Sequence, residues 1–271
     1  MSITKKIDFA VIFTVKNANP NGDPLNGNRP RTTYAGIGEI SDVCIKRKIR
    51  NRLMQIGESI LIQSDDNKLD ECTSIRSRIE ASGLKTNDKE FKKKACEKWF
   101  DVRTFGQVFA FKSRGEGDGV SIPVRGPVSI HPAFSINPVS ISSTQITKST
   151  NSEDSEKGKK GSDTMGMKHR VDKGTYTFYG SINYQLSTLT GFSDADGEKL
   201  KEVLLKLFEN DASSARPDGS MKISKVIWWK HNSELGQYSS GKVHGTLHTN
   251  DDGTYILTNL HGLIPEELDG F

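Results

Sequence analysis

Three cysteines in 271 residues, Cys44, Cys72 and Cys96, are too few and too scattered for a disulfide framework or a zinc ribbon, and no CxxC pair exists. They fit a reducing cytosol. No apolar run approaches membrane-spanning length, and the start, "MSITKKIDFAVIFTVKN", has Asp8 inside its apolar stretch and no small-residue cleavage site after it. A soluble, cytoplasmic protein without membrane contact is expected. Catalytic signatures are equally scarce, with no HExxH, no GxSxG and no Cys/His pattern. His244 and His248 have metal-like spacing, but in a glycine-broken stretch. "RGEGDG" lacks the GK[ST] and the following helix of a phosphate loop. Asp23 in "NGDP" is the best acid candidate, and turn formation is its stronger reading. No catalytic residue, metal or cofactor is expected. Hydrophobic residues make up 34%, and 25 glycines still leave the total below the usual ~45–50%, which implies long surface loops or surfaces completed by partners.

Positive charge is abundant locally, although the net charge is only +4. "SDVCIKRKIRNRL" (41–53) puts five basic residues into seven positions, with Asp42 the only carboxylate nearby. At helical spacing Ile45, Ile49, Leu53 and Ile56 share one face, behind a Ser41 N-cap. Lys46 and Arg50 flank that face on one side, Lys48 and Arg52 on the other, and Arg47 points outward. Solvated faces usually mix signs, so this one reads as a polyanion-binding face.

Periodicity organises the rest. "IDFAVIFTVK" (7–16) alternates as a strand, with Ile7, Phe9, Val11, Phe13 and Val15 inward and Asp8, Thr14 and Lys16 outward. A loop rich in Asn, Pro and Gly leads to the basic helix, and residues 57–87 show no clear period. A second helix is expected over 88–100, a turn into a strand over 101–111, and an extended run through "VSIPVRGPVSI". The stretch from about 142 to 172 is polar and reads as a mobile excursion with "KGKKG" at its tip. A strand at 174–184, a helix capped by Ser193 and a strand at 221–230 follow, and the tail from Ser233 is irregular apart from "TYILTNL". The expected class is α+β, in the ferredoxin-like βαββαβ order of RNA-recognition motifs with large insertions.

Candidate nucleic-acid contacts accumulate along this frame. The first loop offers Asn19, Asn21, Arg29 and Arg31, and the helix Lys46, Arg47 and Arg50. Further on come Arg103 and Gln107, then Arg125 with Gly126, a glycine that permits close backbone approach. "SDTMGMKHRVDKG" adds Met165, Met167, Lys168, His169 and Arg170, where a methionine wedge could part stacked bases. Trp228 and Trp229 point to opposite sides of a strand, so at most one is expected in the core and the other at a stacking surface or interface.

The runs "NANPNGDP", "SDVCIKRKIRN", "RGPVSI", "STQIT", "GSDTMGMKHRVDKG", "NDASSARP" and "WWKHN" together resemble the backbone subunit of type I-C CRISPR Cascade, a repeat-associated RAMP family, from about residue 7 to 248. The tail from about 249 lies outside the match. The resemblance implies an RNA-recognition-like palm with a projecting thumb hairpin, in a subunit that polymerises along one CRISPR RNA and kinks out a base at regular intervals. It adds Gln145 of "STQIT" to the RNA contacts. A single domain over 1–271 would then divide into a palm at about 5–56, 101–135 and 173–232, a finger-like insertion at 57–100, a thumb at 136–172 and a C-terminal extension at 233–271. The implied partners are CRISPR RNA, further copies of the chain, a processing and 5′-handle subunit, a large subunit, small subunits, and target DNA through guide pairing. Two alternatives stand beside this: a metal-dependent endoribonuclease of the same superfamily using Asp23, and a monomeric single-stranded RNA-binding domain.

Overall fold

The computed structural model describes residues 2–111, 120–147 and 165–271. The expected tip "KGKKG" and the glycine-rich run after Phe111 lie outside the described residues. Strand β1 (Ile7–Ala18) is followed by a loop that holds the short pair β2 (Gly22–Asp23) and β3 (Arg29–Pro30), then by β4 (Ile37–Ile40) and helix α1 (Asp42–Gln55). Helices α2 (Ile75–Ala81), α3 (Phe91–Lys98) and α4 (Phe100–Phe105) lead into the hairpin β5 (Gly106–Phe111) and β6 (Val120–Arg125). Next come β7 (Val128–Ile130), β8 (Ala133–Pro138), β9 (Ile141–Thr147) and the 18-residue β10 (Met165–Ile182). The chain closes with α5 (Tyr184–Thr190), α6 (Asp194–Leu205), β11 (Met221–Lys230), α7 (Ser240–His244), β12 (Leu247–Thr249), β13 (Tyr255–Leu257) and β14 (Glu266–Asp269).

The fold is mixed α+β around one large antiparallel sheet in the order β14-β11-β1-β10-β8-β4, with β7 and β9 also pairing with β10. The alternation in β1 sends Phe9, Val11 and Phe13 to one face, where Ile45, Ile49 and Leu53 of α1 and Leu200, Val203 and Leu204 of α6 meet them. Helix α6 starts where Ser193 and Asp196 cap each other reciprocally, Asp196 N–H to Ser193 Oγ at 3.2 Å and Ser193 N–H to Asp196 Oδ2 at 2.9 Å.

The opposite face of β1 does not meet solvent as its polar positions suggest. Ala10, Ile12 and Ile227 pack there beneath Val243, Leu247 and Leu263 of the C-terminal extension. This corrects the reading of the tryptophans. Trp228 stacks on Phe9 at 5.4 Å in the first core, and Trp229 is buried in the second. Each large side chain so enclosed contributes about 1.5–3 kcal/mol of apolar burial, so neither stands at a surface. At the strand end, buried Asp8 accepts from His231 Nε2 at 2.8 Å, with Lys6 Nζ at 3.1 Å, and His231 Nδ1 accepts the Gln237 N–H at 3.2 Å, which fastens the extension to the sheet.

Residues from 57–111 and 120–125 form a third core. Leu61, Ile79, Phe91, Ala95, Trp99 and Phe109 cluster together, with Phe91 and Ala95 on the helix expected over 88–100 and Trp99 just past its end. The β5–β6 hairpin is its own two-stranded sheet and packs into this cluster. The expected palm segment beginning at residue 101 therefore joins the main sheet only from Val128 onward. The polar excursion also needs correction. Residues 141–147 and 165–171 pair from Met165↔Thr147 to Val171↔Ile141, so β10 runs out of the core as a two-stranded ribbon. Polar side chains on both faces leave such a ribbon without the alternation that marks a strand.

Candidate nucleic-acid interface

The basic helix is not unbalanced. Asp42 pairs with Lys46 at 3.0 Å, Asp66 with Arg47 at 3.7 Å and Asp101 with Arg50 at 2.9 Å. Lys48, only 4% exposed, pairs with Asp211, and Arg52 donates to Gln55 Oε1 at 2.9 Å. Burial lowers the Lys48 pKa, and the Asp211 carboxylate opposes that shift. Asp101 is buried and also accepts the Leu61 and Ile62 N–H groups at 2.8 and 3.1 Å, so Arg50 ties α1 to the third core. Arg50 further lies 5.2 Å over the Phe105 ring. Acids remote in sequence thus take up the charge that sequence-local counting leaves free.

Arg103 is similarly engaged. It reaches Asp196 at 2.9 Å and Glu58 at 3.9 Å and lies over Phe100. Burial resists ionisation of Asp196, but Arg103 and the Ser193 donors hold its carboxyl below the ordinary range. Gln107 donates to Val108 O at 2.9 Å, and Arg125 is exposed at the end of β6. The close approach at Gly126 is internal, because a Cβ there would collide with the backbone of Phe105 and Gly106. These residues lie near β7, which pairs with β10 at Gly180–Ile182. Arg170 is twelve residues earlier on the same strand, a separation of about 40 Å at ~3.3 Å per residue. The two groups of candidates are not brought together within one chain.

What does converge is the first loop and the ribbon. Asn21 Oδ1 accepts from the Ser41 backbone N–H at 2.9 Å and from its hydroxyl at 3.0 Å, fixing the loop to the cap of α1. Asn19 is buried, and its Nδ2 donates to Asn28 O at 2.7 Å. Both asparagines therefore build the loop, and neither is an exposed contact. Asp23 accepts from Leu25 N–H at 3.2 Å as an N-cap and sits 3.5 Å from Arg31, the turn-forming role expected of it. Arg29 Nη1 donates to Ser143 Oγ at 2.9 Å, leaving that hydroxyl free to donate to His169 Nδ1, 2.8 Å away. The Ser143 hydroxyl thus links loop and ribbon.

On the ribbon Met165 and Met167 are 58% and 55% exposed and share a face with Gln145, whose Nε2 lies 2.9 Å from the Met165 sulfur. Lys168 and Arg170 take the other face, and Arg170 is 3.7 Å from Asp172. Between loop, ribbon and the turn at 210–217 opens a cleft of about 260 Å³ that includes Asn19, Asn28, Met167, Lys168, His169 and Ala215. The turn, "NDASSARP", is the part that residue-type reasoning missed. Its Ala215 carbonyl accepts the Asn19 N–H at 2.9 Å, a contact no local pattern signals. Cations beside exposed apolar side chains can hold phosphates while packing on sugars or bases. Among the described residues no group of three or more His, Cys, Asp or Glu could hold a metal ion, and no helix is long and apolar enough to cross a membrane.

A Haloferax volcanii protein described as CRISPR-associated protein Cas7 is 23% identical over 279 residues, spanning 97% of this chain and 81% of its own length. Two solved structures, of a "CRISPR RNA-guided surveillance complex, pre-nicking" and a "CRISPR RNA-guided surveillance complex", superpose with TM-scores of 0.47 and 0.44 at 14% and 17% identity. Each alignment covers 83% of this chain, with 78% and 68% of the respective partner. The family model for CRISPR-associated protein Cas7 matches residues 5–259, and the chain belongs to that family.

Proposed function

We propose that this protein is a non-catalytic, CRISPR RNA-binding backbone subunit that polymerises along the guide of a cytoplasmic Cascade-type complex of subtype I-C. The observation that carries the reading is the Arg29–Ser143–His169 connection, which makes one cationic and apolar edge from two separate segments of a Cas7-family chain. The ribbon is then the thumb, with Met165 and Met167 packing where a base leaves the stack, and Lys168 and Arg170 meeting phosphates. The strand order β11-β1-β10-β7, with α1 following β1 and α6 following β10, supports a palm of the RNA-recognition type. Its second face is covered by the C-terminal extension, so the guide would run along the sheet's edge and ribbon and not across stacked sheet aromatics. Gripping sugar and phosphate without reading bases suits a subunit that must accept any guide sequence, and pairing with target DNA would be left to the guide. The far group at Arg125 would serve a neighbouring copy's stretch of RNA, and further subunits would cap the filament.

Mass photometry of the full chain with and without a CRISPR RNA tests this. Discrete multiples of the chain mass on one RNA are expected. A single bound copy regardless of RNA length would favour the monomeric alternative. Metal-dependent RNA cleavage lost in Asp23→Asn would overturn the non-catalytic assignment.

A further inference from the structure

Asn19 holds an acceptor that backbone grip by cations does not use. The residue is 5% exposed, and its Nδ2 donates to Asn28 O at 2.7 Å, which orients the amide and turns Oδ1 away from that carbonyl. Among the described residues Oδ1 has no hydrogen-bond partner. Buried polar atoms are nearly always paired by protein, water or ligand, and Asn19 lines a cleft, so a donor entering that cleft has an acceptor to meet. The cleft of about 260 Å³ supplies the remaining character: Met167 is an apolar wall, and Lys168 and His169 are cationic or donor groups.

The donor can be identified by elimination. Phosphate oxygens only accept. Base amino groups donate, but they differ from base to base, and a subunit that takes any guide cannot depend on them. The one sequence-independent donor along an RNA backbone is the ribose 2′-hydroxyl, the group that distinguishes RNA from DNA. We propose that this cleft is a nucleotide subsite in which Asn19 Oδ1 accepts a hydrogen bond from a ribose 2′-hydroxyl, making Asn19 the residue that selects RNA over DNA. The inference rests on the RNA-binding reading above. His169, on the same ribbon face as Met167, would meet the adjoining phosphate while Met167 packs on the sugar or base. Because Oδ1 is closed to solvent, the hydroxyl has to part the cleft walls to reach it.

The test measures full-chain affinity for a guide short enough to seat one copy, in three forms: RNA, all 2′-deoxy, and all 2′-fluoro. The 2′-fluoro form keeps RNA-like sugar geometry but has no donor. Wild type should bind RNA about five- to tenfold more tightly than either, the value of one neutral hydrogen bond. Asn19→Asp keeps the acceptor and should keep this ratio even if overall affinity falls. Asn19→Ala should shrink the ratio by about fivefold. Equal wild-type affinity for RNA and the 2′-fluoro guide overturns the subsite while leaving RNA binding intact. An unchanged ratio in Asn19→Ala overturns the assignment to Asn19. Binding of none of the three overturns the underlying RNA-binding reading.

Discussion

Helix α1 packs five cations into seven residues and turns four of them onto acids from four different segments, Asp42, Asp66, Asp101 and Asp211. The ribbon carries Lys168, His169 and Arg170 in succession, with Lys168 and Arg170 exposed. The denser run of charge therefore makes architecture, and the sparser one makes surface. The physical reason is depth. Half of α1 faces the core, so Lys48 and Arg50, 4% and 13% exposed, are desolvated and depend on their partners. The ribbon has left the core, so Lys168 keeps its hydration, and Arg170 shares only a solvent-screened pair with Asp172. Charge density along a sequence measures neither field nor availability.

The largest expected effect breaks the comparison at its buried end. Asp211→Asn leaves Lys48 buried without its counter-ion and should cost about 3–5 kcal/mol of stability. Lys168→Ala with Arg170→Ala should stay within about 0.5 kcal/mol of wild type, as exposed substitutions usually do. Urea denaturation of both proteins decides. Similar losses in the two variants would erase the distinction between α1 and ribbon.

A smaller effect sharpens the ribbon's side of it. Met165→Ala with Met167→Ala removes exposed thioethers that no core needs, so folding should be unaffected. Assembly on a long guide should weaken by on the order of 1 kcal/mol per copy, at the low end of base packing on side chains. Mass photometry across protein concentrations reads this as fewer copies per RNA. Wild-type occupancy in the double variant would remove the methionines from the interface.

The smallest effect comes from the extension, where charge is again matched internally. Burial holds the His244 imidazole below its ordinary pKa of 6.5, against the pull of Asp8 and the Gly180 carbonyl, with His131 and Lys6 adding to the lowering. A base depressed in the fold binds its proton more readily when unfolded. Stability from this group is thus complete above about pH 6.5 and declines as the pH falls below it toward the folded value. Tm should drop as the pH is lowered from 7.5 to 5.5, and His244→Gln should flatten that decline over its upper part. A parallel curve in the variant would assign the dependence to other groups.

Much of the fold is legible in the sequence because its signals are local. The alternation of β1, the helix capped by Ser193 and three members of the α1 stripe, Ile45, Ile49 and Leu53, appear as expected, whereas Ile56 is exposed past the helix end. What was not legible depends on distance. The cover over Trp229 is made by Val243, Leu247 and Leu263, scattered through a tail with no period, so nothing in the tail announces a packing face. Lys48 and Asp211 are 163 positions apart, and no pattern in either segment points to the other. The site divides in the same way. Met165 to Arg170 was readable as a run of unusual composition, whereas the inward turn of Asn19 and Asn21 and the contact of Ala215 with Asn19 follow from loop closure alone.

If the ribbon, and not the basic helix, meets the RNA backbone as proposed, the salt dependence of guide binding will show it. Wild type is compared with a helix variant, Lys46→Ala with Arg47→Ala, and a ribbon variant, Lys168→Ala with Arg170→Ala. Each single-strand phosphate contact contributes about 0.7 to the log–log slope, so the ribbon variant should flatten it by about 1.4 and the helix variant should leave it near wild type. A helix variant that flattens the slope by that amount, with the ribbon variant unchanged, would contradict the account.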